Sequence, residues 1–173
     1  MGHGTLSSDE LAALLEGAGV ESLVDVRTAP GSRRHPQFAR AEMERWVPAA
    51  AVAYRWERAL GGFRRPSPDS PNTSLRHAGF RGYADYMGTP EFTGALDSVL
   101  QEAGRRPLTV MCAESLWWRC HRRLISDAAV LLGGVDVVHL GHDGRLTPHR
   151  ITEGARVEGG HLVYDGCQPP LST

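Results

Sequence analysis

Cys112 and Glu114 open a short loop that runs into Arg119, His121, Arg122 and Arg123, four cations placed where a helix should begin. Leu108–Met111 ahead of them reads as a buried strand. A helix N-terminus carries roughly half a positive elementary charge, so cations there stand against the field unless an anion docks among them or their head groups turn outward into water. The free N–H groups at that end would bind such an anion. A cysteine at a strand end, close to a helix start and to guanidinium groups, is placed where a thiolate is stabilised, and the thiolate is the nucleophile. Cys112 is therefore read as the candidate nucleophile, with Glu114 or His121 as proton carrier; a buried structural cysteine is the competing reading.

Six residues separate Cys112 from Arg119 and none is glycine, whereas phosphatase- and rhodanese-type loops are tighter and carry glycine. Cys120 shares helical spacing with Leu124, Ala128 and Leu131, which predicts core packing. On a helix the adjacent Cys120 and His121 would diverge by about 100°, and with Cys112 they lack a recognised zinc spacing, so no metal site is expected. Cys167 lies in a Gly- and Pro-rich tail as a bystander.

A second group surrounds the turn Pro30-Gly31. Arg27, Arg33 and Arg34 flank it, and Ser32 adds a hydroxyl; turn N–H groups can also face an anion. Asp25, inside an apolar run, is expected to pair with an arginine because an unpaired buried carboxylate is costly. Of Trp117 and Trp118, only one can face inward easily, which leaves the other (Trp118 in our assignment) to stack on a planar ligand. His139 and His142 are of a type that titrates near neutral pH or binds metal, although a lone histidine more often does neither.

All 19 basic residues are arginine, and 20 acids oppose them for a net charge of −1. The balance is uneven: the segment from Arg27 to Arg81 holds eleven arginines against four acids. Planar guanidinium forks suit carboxylate and phosphate, so the expected partner is a small anionic ligand, with nucleic acid as an alternative. No apolar run reaches the ~20 residues that cross a bilayer, so no membrane partner is expected. Three cysteines without a signal-peptide pattern predict reduced thiols in a cytoplasmic protein.

The elements that must position these groups alternate. Ser7 and Glu10 form a capping-box spacing ahead of Leu11, Leu14 and Leu15, a helix that ends at Gly17 or Gly19. Strands are predicted over 21–27, 51–56, 108–111 and 135–140, and helices over 39–46, from Pro90 to about 103, and from about Arg119 onward with Cys120 on its face. The stretch 60–82 reads as one long functional loop, and 156–173 as a C-terminal extension with a hairpin turned by Gly159-Gly160. One further helical turn is expected near Thr152 to Ala155. This pattern predicts a single α/β domain over 1–173, with a mostly parallel sheet of about four to five strands and helices on both faces, Rossmann-like and three-layered. Ligands in such sheets bind beyond the strands' carboxyl ends, where Asp25, Arg27, Cys112, Glu114, His139 and His142 all fall.

The segments Leu23-Val-Asp-Val-Arg27, Pro30-Gly-Ser-Arg-Arg34, Leu60-Gly-Gly62, Phe80-Arg-Gly-Tyr-Ala-Asp-Tyr-Met87, Met111-Cys-Ala-Glu114, Trp117-Trp-Arg-Cys-His-Arg-Arg-Leu-Ile125 and His149-Arg-Ile-Thr152 together resemble the family known as domain of unknown function 488. The resemblance covers most of the chain. It implies a site at Asp25, Arg27, Ser32, Arg33, Tyr83, Cys112, Glu114, His121 and Arg122, and a first strand before Gly2-His3 that is here shortened or missing. The family name confers no activity.

The leading expectation is an enzyme-like domain with an arginine-lined anion pocket, doing thiol-assisted phosphate- or sulfur-group chemistry on a small anionic ligand or nucleotide. One alternative is a haem protein, with arginines on the propionates and Cys112 or a histidine as axial ligand. Another is a nucleic-acid-binding module using the basic segment 27–81. No cofactor is obligatory, and the oligomeric state stays open, a homodimer included.

Overall fold

The computed structural model describes residues 1–31 and 33–167. Helix α1 (Ser8–Gly17) starts at a reciprocal cap: the Glu10 amide donates to Ser7 Oγ at 3.2 Å, and the Ser7 amide to Glu10 Oε2 at 2.7 Å. Its Leu11 and Leu15 are fully buried. Strand β1 (Ser22–Asp25) follows, and all four of its residues are buried, as expected of the middle strand of a covered sheet. It pairs in parallel with β2 (Ala53–Trp56) on one side and β3 (Leu108–Met111) on the other, Leu23 lying opposite Tyr54 and Thr109. Helix α2 (Arg40–Ala49) joins β1 to β2, and α3 (Ala78–Met87) and α4 (Pro90–Ala103) lie between β2 and β3. Helix α5 (Arg122–Leu131) follows β3.

Side chains alternate across β1, which creates a core on each face. Val24 and Val26 pack into a cluster with Phe92, Leu96, Leu124 and Ile125 of α4 and α5, beside Tyr83 of α3. Leu23 and Met111 face the other way, into Leu11, Leu15, Met43 and Val47 of α1 and α2. Burying each such side chain contributes about 1.5–3 kcal/mol.

The expected sheet of four to five strands is corrected to three. Only Val138–Leu140 (β4) of the strand predicted over 135–140 is extended, and it pairs antiparallel with β5 (Leu146–Pro148), outside the sheet. The physical reason lies at the edge of β3. Residues 1–4 occupy it: Gly2 bridges Cys112 in parallel, and the His3 and Gly4 amides donate to the Cys112 and Ala113 carbonyls, each at 3.0 Å. Residues 1–4 thus join the edge of β3 through a single parallel bridge and two amide hydrogen bonds.

The stretch 60–82 is not one loop either. Helix α3 already begins at Ala78, with its apolar face at Phe80, Tyr83, Ala84 and Met87. Gly79 and Gly82 mask the helix in the sequence. A Cβ on Gly82 would lie 2.5 Å from the Arg64 carbonyl oxygen, so glycine lets the preceding loop cross the helix closely. Asp85 of α3 fastens that loop by accepting from the Ser67 amide, Ser70 Oγ and Asn72 Nδ2. Asn72 Oδ1 in turn accepts from Tyr164 N in the hairpin β6 (Ala155–Glu158) and β7 (His161–Tyr164), which turns at Gly159-Gly160 as expected. The helical turn expected near Thr152 is a plain turn closed by the Ala155 amide on the Thr152 carbonyl, 3.0 Å. Among the described residues, no helix is long and apolar enough to cross a membrane.

Candidate active site

A cavity of about 1040 Å³ opens beyond the carboxyl ends of β1 and β3. Arg27, Tyr83, Cys112, Glu114, Trp118 and His121 line it, and so does Cys120.

Arg27 follows β1 directly and is only 6% exposed. Asp25 holds it bidentately, Nε to Oδ1 at 2.8 Å and Nη2 to Oδ2 at 2.5 Å, and Tyr54 Oη donates to Asp25 Oδ2 at 2.9 Å. The expected pairing of Asp25 with an arginine is thus found. Two of the three guanidinium nitrogens are thereby committed, which leaves the Nη1 edge toward His3 Nε2 at 3.3 Å and the cavity. His3 Nδ1–H points to the Gly4 carbonyl, so Nε2 is the accepting nitrogen. Burial, and then Arg27, hold the His3 pKa down at about 4, and the ring is neutral at pH 7.

The sulfur cluster lines the same cavity. Cys112 lies just past β3, and the Glu114 amide N–H points at its sulfur. Cys120 occupies extended backbone, φ −124° and ψ 152°, between a 3-10 turn (Trp117–Arg119) and α5. Its sulfur, that of Cys112 and a nitrogen of His121 lie within 4.8 Å of one another. The expectation that Cys120 belongs to a helical face is corrected: it precedes α5, so Cys120 and His121 converge instead of diverging. The His121 tautomer is fixed because Nε2–H donates to the Val26 carbonyl at 3.1 Å. Nδ1 then faces the Cys120 sulfur at 3.6 Å. A Cβ on Gly62 would lie 2.9 Å from that same Nδ1, so glycine at 62 keeps the imidazole edge uncrowded.

Arg122 is 1% exposed, donates from Nε to the Cys120 sulfur at 3.4 Å, and donates from Nη2 to the Glu114 carbonyl. No carboxylate pairs with it among the described residues. The hydrogen bond from Cys112 lowers the Cys120 pKa against the opposing effect of burial, with His121 and Arg122 adding to it. The same hydrogen bond, and burial, push the Cys112 thiol up. Arg122 Nε and His121 Nδ1 both face the Cys120 sulfur, so of the two cysteines it is Cys120 whose thiolate the site favours.

The remaining expected residues take other places. Tyr83 is buried with Oη on the Leu60 carbonyl at 2.7 Å and its ring 5.1 Å from that of His121, so it is a wall and a spacer. The Glu114 carboxylate is exposed on the rim and accepts from the Leu116 amide at 3.2 Å. Trp117 packs inward, stacked on His139 at 4.0 Å, and Trp118 is left 49% exposed at the cavity wall. Arg33 is exposed and outside the lining, where Arg34 stands instead. Ser32 lies outside the described residues. His139 contacts His149 Nδ1 at 2.9 Å, whose Nε2 reaches Asp127 at 2.8 Å, and His142 donates to the Gly2 carbonyl at 2.7 Å; neither lines the cavity.

Two thiols and an imidazole within this reach are a donor set that Zn²⁺ would accept. The two nearby guanidinium groups oppose a cation there and favour an anion.

The site is thus a thiol–imidazole–guanidinium centre at the rim of a parallel α/β sheet. The model of the family described as domain of unknown function DUF488 matches residues 7–129, which hold the whole sheet and the sulfur cluster. The chain belongs to that family. In comparisons with curated proteins and with solved structures, nothing matches the chain.

Proposed function

We propose that this domain is a thiol-dependent enzyme that transfers a sulfur-containing group from a small anionic donor. The observation that supports it most is a buried Arg122, without a carboxylate partner among the described residues, whose Nε lies 3.4 Å from the Cys120 sulfur. The nucleophile moves from Cys112, where the sequence suggests it, to Cys120, which the sequence assigns to core packing; Cys112 follows as resolving thiol. A single cysteine would suffice for phosphate transfer, so the second thiol within 4.8 Å favours sulfur.

In the first step the Cys120 thiolate attacks the outer sulfur of a thiosulfonate-type anion. A new S–S bond forms, the donor's S–S bond breaks, and the sulfinate or sulfite leaves with the electron pair. The free edge of Arg27 holds the donor's oxygens. In the second step Cys112 attacks the Cys120 sulfur of the persulfide, its proton leaves with the departing hydrosulfide, and a disulfide closes. Two equivalents of a small-molecule thiol then restore both cysteines. His121 takes or returns the Cys120 proton at Nδ1, since Nε2–H stays on the Val26 carbonyl in either state.

The test is mass spectrometry after incubation with thiosulfate. Wild-type protein is expected to form the Cys112–Cys120 disulfide and release sulfide, and Cys112→Ser to accumulate one added sulfur on Cys120. Absence of any adduct in both proteins would overturn the proposal, as would a tightly bound Zn²⁺ that occupies the two sulfurs in the purified protein.

A further inference from the structure

A second cavity of about 900 Å³ lies on the far side of Trp118. His77, Phe80 and Trp118 line both cavities, so one wall separates them. Arg76, Arg123 and Arg150 line the second, with Glu153 the one acid among its described lining residues. Arg123 stacks its guanidinium over the Phe80 ring at 5.0 Å, and its Nε is buried with no hydrogen-bond partner among the described residues. Thr152 Oγ1, in the same lining, is likewise buried and unpartnered. Both atoms are closed off from solvent and meet no ligand themselves; Arg123 reaches the cavity through the rest of its side chain.

We propose that this cavity is a nucleotide subsite, the phosphate held by Arg123, Arg150 and Arg76 and the base stacked on Trp118. Its volume far exceeds what a free phosphate needs and falls in the range of pockets that enclose an aromatic ligand. Trp118 is the half-exposed flat surface that such a ring would cover. Guanidinium forks supply the bidentate donors that phosphate accepts. The subsite stands independently of the thiol chemistry next to it; if both hold, a ligand bound here lies beside one bound at the sulfur cluster. The phosphate could come from a free mononucleotide or from a strand end, and the experiment separates these.

Binding of AMP, adenosine and inorganic phosphate to the full chain is measured by calorimetry, with a short oligoadenylate as a further arm. AMP is expected to bind more tightly than adenosine or phosphate alone. Arg150→Gln, at an exposed position, is expected to weaken AMP roughly tenfold, as the loss of one charge-assisted contact would. Trp118→Ala should abolish the preference of AMP over phosphate, while Trp118→Phe keeps it. Tighter binding of the oligoadenylate identifies a strand as the source, and tighter AMP a free nucleotide. Cys112→Ser, at a position outside this cavity, is expected to bind AMP as the wild type does, so failure of the thiol proposal leaves this result unmoved. Adenosine or phosphate binding as tightly as AMP, or Arg150→Gln binding AMP unchanged, would overturn the subsite.

Discussion

Arg122 and Cys120 face each other, guanidinium Nε to sulfur at 3.4 Å, and among the described residues neither has a carboxylate partner. A buried cation without a counter-charge is expensive, and the thiolate is the group that supplies one. The start of α5, two residues on, favours negative charge at the same spot. Cys120→Ser removes the thiolate and keeps the volume. It is expected to destabilise the fold by about 3 kcal/mol or more, because Arg122 is left buried and unpaired. Adding Arg122→Met should recover part of that loss. A denaturant double-mutant cycle reads the coupling, and additive losses would show that the two side chains merely pack.

The same logic applies to Asp25 and Arg27, both buried and bidentately joined. Asp25→Ala is expected to cost about 3–5 kcal/mol and to release Arg27 from the cavity wall. Asp25→Asn should retain more stability by keeping an acceptor near Nε. The check is the urea midpoint of each variant, and equal midpoints for Ala and wild type would refute the clamp.

Acid should weaken the fold in a defined window. Burial holds His3 at about 4 and His139 at about 3, below the ordinary 6.5 that the unfolded chain keeps. The unfolded state therefore binds more protons below about pH 6.5, and stability falls as pH drops toward 3. His139→Gln should flatten the slope of melting temperature against pH in that window. An unchanged slope would contradict a neutral buried His139.

Glu102 near the end of α4 ties the sheet edge together, accepting from Ser22 Oγ at 2.6 Å and Arg55 Nε at 2.9 Å, with Arg106 on the same carboxylate. Burial alone would raise its pKa, but the bonds from Ser22, Arg55 and Arg106 outweigh it and hold the group at about 2. Its contribution is present above the ordinary 4.5 and is lost as pH falls toward 2. Glu102→Gln is expected to lower the melting temperature at pH 7 and to leave it nearly unchanged at about pH 2, where the wild-type carboxylate is losing its charge. Equal losses at both pH values would argue for packing.

What the sequence showed well were local signals: the Ser7–Glu10 capping box, Pro90 at a helix start, and the turn at Gly159-Gly160. Asp25, Arg27 and Cys112 were legible as a group because strand ends in a parallel sheet share one rim. Cys120 was hidden by the start of α5, which lacks a side-chain cap, so nothing in Arg119-Cys120-His121 marks where the helix begins. The edge taken by residues 1–4 depends on tertiary pairing with Cys112, which has no local signature. Helix α3 carried a helical period, but its glycines, required by the crossing at Arg64, outweighed that period.

The most direct measurement is the rate at which iodoacetamide modifies the native protein as a function of pH, with the labelled peptide identified. With the exposed Cys167 replaced by serine, one equivalent is expected on Cys120, at a rate nearly flat across about pH 6 to 8, since a thiolate paired with Arg122 is already formed there. A rate rising about tenfold per pH unit, or first labelling at Cys112, would contradict the assignment of the thiolate.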